Sequence, residues 1–304
     1  MSSSSSNNSR FLPGKDLMHL RVLHRTTYSY AGKAAESFNE LRLRPLEDAT
    51  QRCADFQLRL TPGTTPREYS DFYGNTVHYF EILEKHPKLV IEAVSAIETT
   101  PLAARPPVPR VPIAELERST EREMLAEFYN GSHYVPLEVE LWREAQDALE
   151  QGRSDVWSDV RRLGEHIYRR FAYRPNTTGV NTDAIDALKL RMGVCQDFAH
   201  VHLGLCRSMG IPARYVSGYF FNNTRRPREI EASHAWIEAW VPGHGLAAFD
   251  PTHDRVADER YVKIAVGRDY ADIRPVSGTY RGAPTRSLKV AVTVREAPAS
   301  VSVP

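Results

Sequence analysis

Gly193-Val194-Cys195-Gln196-Asp197-Phe198-Ala199-His200 is the stretch on which the reading of this chain turns. Phe198, Val201, Leu205 and Met209 follow at steps of three and four, so a helix is expected to begin at Cys195, and Gly210 and Pro212 end it. A cysteine is a useful nucleophile only as thiolate, and an unperturbed thiol is mostly protonated near neutral pH. A helix start favours negative charge and leaves backbone N–H groups free to point at it. Gly193 permits close approach of the chain before the turn. The backbone N–H of Cys195 is then a candidate donor to the oxyanion of a tetrahedral intermediate.

Such a thiol needs a base, and the base needs an orienting acid. Of eleven histidines, His234 is the best placed, because it opens the strand-like run Ser233-His234-Ala235-Trp236-Ile237-Glu238-Ala239-Trp240. Asp250 ends the next such run, Ala248-Phe249-Asp250, where Pro251 blocks continuation of the ladder. If the two runs form a hairpin, His234 and Asp250 share a sheet face only when even-numbered residues pair with even-numbered ones. A connection of three or five residues around Pro242–Gly245 is therefore expected, and a tight two-residue loop would separate the pair.

Outward from this centre, residues 155–295 read as a core of helices followed by antiparallel strands. Ser154 is the expected cap of a helix carrying Val156, Val160, Leu163, Ile167 and Phe171, and Thr182 caps a shorter one stopping at Gly193. Strands are expected at 214–220, 233–241 and 246–250. Residues 18–100 alternate in β-branched and aromatic residues at 18–30, 53–60, 76–83 and 88–97, with Gly74-Asn75 as a hairpin turn, so this half reads as an antiparallel, sandwich-like domain. Residues 101–112 hold five prolines and form an extended linker. Residues 113–154 are a mixed, partly helical connection. Residues 1–17 are a polar leader expected to be disordered, and 296–304 a tail.

The bulk numbers narrow the function. Thirty-nine basic against 38 acidic residues leave a net charge of +1, which gives no field for nucleic acid or anionic lipid. No apolar run reaches the roughly 18 residues of a membrane span. The N-terminus lacks the apolar stretch of an export signal, and Cys53, Cys195 and Cys206 form no disulfide framework, so a cytoplasmic setting is expected. The N-x-[ST] patterns at Asn130, Asn176 and Asn222 are read as chance matches.

The central segment, with its continuation Leu205-Cys206-Arg207-Ser208-Met209-Gly210-Ile211-Pro212-Ala213-Arg214, resembles the core of the bacterial transglutaminase-like family. His234-Ala235-Trp236 is similar to its second block and Asp250-Pro251-Thr252 to its third. Met18-His19-Leu20-Arg21-Val22 is similar to the start of the β-rich domain preceding that core, and Gly267-Arg268-Asp269-Tyr270 resembles the C-terminal end, so the likeness spans 18 to about 295. It implies an α+β, papain-like transglutaminase core, with a Cys195–His234–Asp250 triad and no metal or cofactor.

Other residues read two ways. Asp197 either complements the helix dipole or contacts substrate, and Trp236 and Trp240 either wall a cleft or pack a core. Tyr173 is a candidate oxyanion donor. His200-x-His202 with Cys206 raises a metal hydrolase as a competing class, though helical residues two apart point in different directions. The function expected is thiol-dependent acyl transfer on a peptide or protein amide, released by water or by an amine. The alternative is a non-catalytic peptide- or partner-binding module on the same scaffold. The oligomeric state is not legible.

Overall fold

The computed structural model describes residues 17–179, 181–222 and 233–299. The expected leader lies outside them but for residue 17, as does the tail from residue 300. The N-terminal half runs β1 (Met18–Leu41), β2 (Gln51–Thr61), β3 (Arg67–Ser70), β4 (Thr76–Ile82) and β5 (His86–Thr99). Then come α1 (Ala114–Arg118), α2 (Ala126–Tyr129), α3 (Val139–Ala148) and α4 (Val156–Arg170). The order continues β6 (Ala172–Tyr173), α5 (Ala184–Leu190), β7 (Met192–Gly193), α6 (Cys195–Ser208), β8 (Ala213–Phe220), β9 (Ser233–Val241) and β10 (Gly245–Asp250). It closes with β11 (Arg255–Val256), β12 (Tyr261–Gly267), β13 (Val276–Arg281) and β14 (Arg286–Glu296).

The two layers expected of a sandwich are one curled antiparallel sheet, because the long strand β1 runs through both halves. Its first half lies between β5 and β14 and its second between β4 and β13. The change of partners falls where the register slips between Ser29 and Ala34, beside Gly32 at φ 104°. Leu20, Val22, Thr26, Tyr28 and Tyr30 alternate inward along it. Gly74, at φ 80°, turns β3 into β4, with the Asp71 carboxylate accepting from the Tyr73 and Asn75 N–H groups.

One boundary needs correction. β13 and β14, placed in the core by the sequence reading, complete the N-terminal sheet against β1. Their alternation suits any antiparallel ladder, and their partner lies more than 200 residues away. Residues 113–154 are likewise part of the core rather than a connection. Leu141 of α3 packs so closely on Gly204 of α6 that a Cβ there would stand 2.7 Å from Leu141 Cδ1. The Glu144 carboxylate of α3 accepts from His166 and Arg191, tying α3 to α4 and to the end of α5. The caps of α4 and α5 fall one residue later than expected, on Asp155 and Asp183, whose carboxylates accept from Ser158 and Asp186 N–H.

The core is α+β, helices packed on one antiparallel sheet. Helix α6 packs on the antiparallel sheet β11-β10-β9-β8-β12, through Phe198, Val201 and Leu205 against Ala235, Ile237 and Ala239. β12 is an edge strand, and the N-terminal half seals it. Gln51 donates to the Lys263 carbonyl and accepts from its N–H, each at 2.8 Å. Asn75 does the same to Val266, also at 2.8 Å both ways. Two side-chain amides, with the Leu46 N–H on the Lys263 carbonyl, thus stand in for a neighbouring strand and satisfy ladder groups at this edge. Beneath them Lys263 bonds to Asp48 and Glu238, and Glu238 to Arg214.

Gln51→Leu keeps the shape but leaves the Lys263 N–H unpaired and its carbonyl with the Leu46 N–H alone. Urea unfolding should show a loss of about 2–4 kcal/mol. A change below about 0.5 kcal/mol would mean the amide does not carry this junction.

Candidate active site

Helix α6 starts on Val194, whose side chain has no oxygen with which to cap the first turn. The cap is made from inside instead: the Asp197 carboxylate accepts from the Val194 N–H at 2.7 Å and from the Thr178 hydroxyl at 2.7 Å. Gly193 is obligatory to this arrangement, since a Cβ there would lie 2.4 Å from Asp197 Oδ2. Cys195 is thereby fixed as the first helical residue, 9% exposed.

The hairpin of β9 and β10 supplies the other two groups. Its connection is the three residues 242–244, and Phe249 pairs with Ile237 and Ala248 with Glu238. Odd meets odd and even meets even, so His234 and Asp250 fall on one face. His234 Nε2 donates to Asp250 Oδ2 at 2.8 Å. The His234 side chain also hydrogen-bonds Cys195, which leaves Nδ1 as the nitrogen facing the sulfur. Ala235, Ile237 and Ala239 of β9 pack on α6, whereas Trp236 lies on the other face. Thiol and imidazole therefore meet at the end of the strand and not across the middle of the sheet.

Asp250 is 0% exposed, and every approach to it is a donor. Oδ2 accepts from His234, from His253 Nδ1 at 2.6 Å and from the Tyr261 hydroxyl at 2.7 Å, while Oδ1 accepts from the Thr252 N–H at 2.8 Å. Burial by itself raises the Asp250 pKa, but the charge and hydrogen bond of His234 and the bond from His253 outweigh it and hold the carboxyl well below its usual range. For His234 burial pulls downward, yet the Asp250 charge, the bond to it and the bond to Cys195 lift it from 6.5 to about 10. The site can thus pass a proton between a sulfur and a fixed, carboxylate-held imidazole.

Comparisons with known proteins place the chain by family and fold. Residues 20–98 match the bacterial transglutaminase-like N-terminal region and residues 143–251 the transglutaminase-like superfamily core. The uncharacterized protein ML0607 of Mycobacterium leprae is 34% identical over 283 residues, covering 91% of this chain and 99% of its own. The uncharacterized protein Rv2569c of Mycobacterium tuberculosis is 31% identical over 304 residues, covering 95% and 96%. The crystal structure of a "Putative Cysteine Protease from Cytophaga hutchinsonii" superposes with a TM-score of 0.74 at 25% identity, over 95% of this chain and 93% of that one. The chain belongs to the transglutaminase-like superfamily.

The remaining residues singled out in the sequence fall around this transglutaminase-like centre in different ways. Asp197 is the clamp of the first turn; burial raises its carboxyl above the usual range, with Thr178 and the Val194 N–H opposing. Trp236 is 1% exposed, stacked beside His234 and edge-on to Tyr261, so it packs the site from behind and offers substrate no surface. Tyr173 is 41% exposed on β6, paired with Gly193 of β7 two residues before Cys195. His200, His202 and Cys206 are not brought together. His200 stacks on Tyr134 and accepts from the Tyr270 N–H, whereas His202 bonds the Val160 carbonyl. Burial pulls His200 down to about 3 and His202 to about 4.

A different trio has metal-ligand spacing: His234, Asp250 and His253 place ligand atoms within 4.8 Å of one another. In this structure the carboxylate already accepts from both imidazoles, so a cation would have to replace the bonds that orient His234. His253 and Tyr261 were missed in the sequence. His253 had a faint signal, standing directly after Asp250-Pro251-Thr252, but Tyr261 had none, because it arrives on β12.

A histidine raised from 6.5 to about 10 stabilises the fold fully below pH 6.5 and loses that contribution as pH climbs toward 10. The lowered Asp250 contributes above its ordinary 3.8 and loses it in acid. The stability gap between the parent and His234→Gln should therefore be widest between about pH 4 and 6.5 and narrow steadily on the alkaline side. Urea titrations across that range read it, and a gap unchanged between pH 6.5 and 10 would contradict the ion pair.

Proposed function

We propose that the protein catalyses thiol-dependent acyl transfer on amide bonds, with Cys195 as nucleophile, His234 as the proton carrier and Asp250 as its orienter. One observation carries the reading: a single imidazole bonds a helix-borne thiol and, through its other nitrogen, a buried carboxylate. The substrate class is a peptide, isopeptide or glutamine side-chain amide.

In the acylation step the Cys195 sulfur attacks the amide carbonyl carbon, its proton held on His234 Nδ1, where the raised imidazole keeps it. The tetrahedral oxyanion is met by the Cys195 backbone N–H at the helix start. The C–N bond then breaks, the proton on His234 passes to the departing amine, and a thioester remains on Cys195. Deacylation reverses the roles. His234 takes a proton from water, giving a carboxylic acid, or from a second amine, giving a new amide, and the thiol is restored. Asp250 keeps its charge throughout and holds the ring in register, as its four donors favour.

Incubation with a library of amide-bearing peptides, followed by intact-mass measurement, tests the reading. The parent should gain the acyl mass at Cys195 and lose it to water or added amine. Cys195→Ala should gain nothing, and His234→Ala should be slowed by about a thousand-fold or more. Equal turnover by the parent and Cys195→Ala would refute the proposal. Tyr261→Phe, which removes one donor to Asp250, should keep the adduct chemistry but cost about 1–3 kcal/mol in unfolding free energy. A variant as stable as the parent would show that the hydroxyl does not support the carboxylate.

A further inference from the structure

A ladder of the N-terminal sheet that runs its whole length without a register shift leaves one edge open. β14 pairs with β1 from Arg286 opposite Tyr30 to Glu296 opposite Leu20 without a register shift, and among the described residues it pairs with no other strand. The opposite edge strand, β2, is interrupted by a bulge between Cys53 and Asp55. The bonds flanking the ladder give its phase. The Ala31 N–H donates to the Thr285 carbonyl and the Ala297 N–H to the His19 carbonyl. Odd-numbered residues of the β14 segment therefore turn their backbone groups toward β1. The N–H and C=O groups of Arg286, Leu288, Val290, Val292, Val294 and Glu296 point outward.

The strand also carries an apolar stripe that the fold covers only at one end. Val292 and Val294 pack against the core beneath the sheet. Leu288 is 56% and Val290 48% exposed on the same face. Open ladder groups over an uncovered apolar stripe are a template for another strand, and proteins usually blunt such edges with charge, proline or a bulge. Here there is no proline or bulge, and the charges fit a particular partner.

We propose that β14 is a self-association edge, through which two copies of this chain pair antiparallel about Ala291 to give one continuous sheet. In that register the outward-facing residues meet one another, as hydrogen-bonded pairs require: Arg286 opposes Glu296 of the second copy, Leu288 opposes Val294, and Val290 opposes Val292. The Arg286 guanidinium is held over the rings of Tyr28 and Tyr280, at 4.8 and 5.5 Å, at the end of the strand. The two charges that would otherwise guard the edge, Lys289 and Arg295, lie opposite Thr293 and Ser287 and not opposite like charge. Two-fold symmetry closes the assembly at a dimer, since each copy uses up its own edge. A strand-edge contact is small for a stable interface, so the dimer is weak and concentration-dependent.

Sedimentation velocity on the full chain, from micromolar to millimolar, reads the association. The parent should shift from monomer to dimer as concentration rises. Val290→Pro removes an outward N–H and spares those bonded to β1, so it should stay monomeric with its thermal midpoint nearly unchanged. Arg286→Glu sets like charges together twice in the dimer and should weaken it on the order of ten-fold. Adding Glu296→Arg to that variant should restore the parent's association, a rescue that does not depend on tolerance of proline. A chain monomeric throughout, or a dimer indifferent to both Val290→Pro and the charge reversal, would overturn the proposal. So would a monomer whose Leu288 to Val294 outward amides already resist hydrogen exchange, since another part of the chain would then cover the edge.

Discussion

A carboxylate with no access to water must be met by donors or it will not stay ionised, and Asp250 is where this chain answers that demand. Much of the core is arranged around it. The three-residue connection of β9 and β10 brings His234 to its face, the turn after β10 returns the Thr252 N–H and His253, and β12 delivers the Tyr261 hydroxyl. Removing any donor leaves charge in a place that cannot be solvated, which is why a site of three chemically active groups is embedded in a larger set of bonds.

The same demand links the two halves of the molecule. Tyr261 is the first residue of β12, and the backbone of that strand is gripped by Gln51 and Asn75 from the N-terminal sheet. The buried Lys263, two residues from Tyr261, is neutralised by Asp48 of one half and Glu238 of the other. The curled sheet thus acts on the site through β12: it fixes the strand that fixes the hydroxyl that holds the carboxylate. The N-terminal half can in this way bear on the orientation of His234.

What the sequence disclosed follows from the range of the forces involved. Helix starts and hairpin parity are local: the start at Cys195 and the strand Ser233–Val241 were readable from neighbouring residues, and the expected connection of three or five residues is three. Partners separated by long stretches were not. Tyr261 gives no signal in its own surroundings, and β13 and β14 alternate like any edge strand while their ladder is with β1. Trp236 shows a subtler limit. Its face was legible from the alternation, but whether that face meets solvent or protein depended on β12 and Gly218, whose added Cβ would stand 2.6 Å from the Trp236 ring.

The histidines make the electrostatic point most directly. His24, His200, His202 and His234 are all buried, and desolvation acts on each in the same direction. His24 bonds the hydroxyls of Tyr219 and Thr26, His200 meets a backbone N–H and His202 a backbone carbonyl, and burial takes all three down to between about 3 and 4. His234 alone of these four bonds a carboxylate, and it moves the other way. A full negative charge at hydrogen-bond distance in a low-dielectric setting outweighs the desolvation that neutral partners cannot offset. Residue type and burial therefore do not set the direction of the His234 shift; its bond to Asp250 does, and the shared face behind that bond follows from the parity of a hairpin.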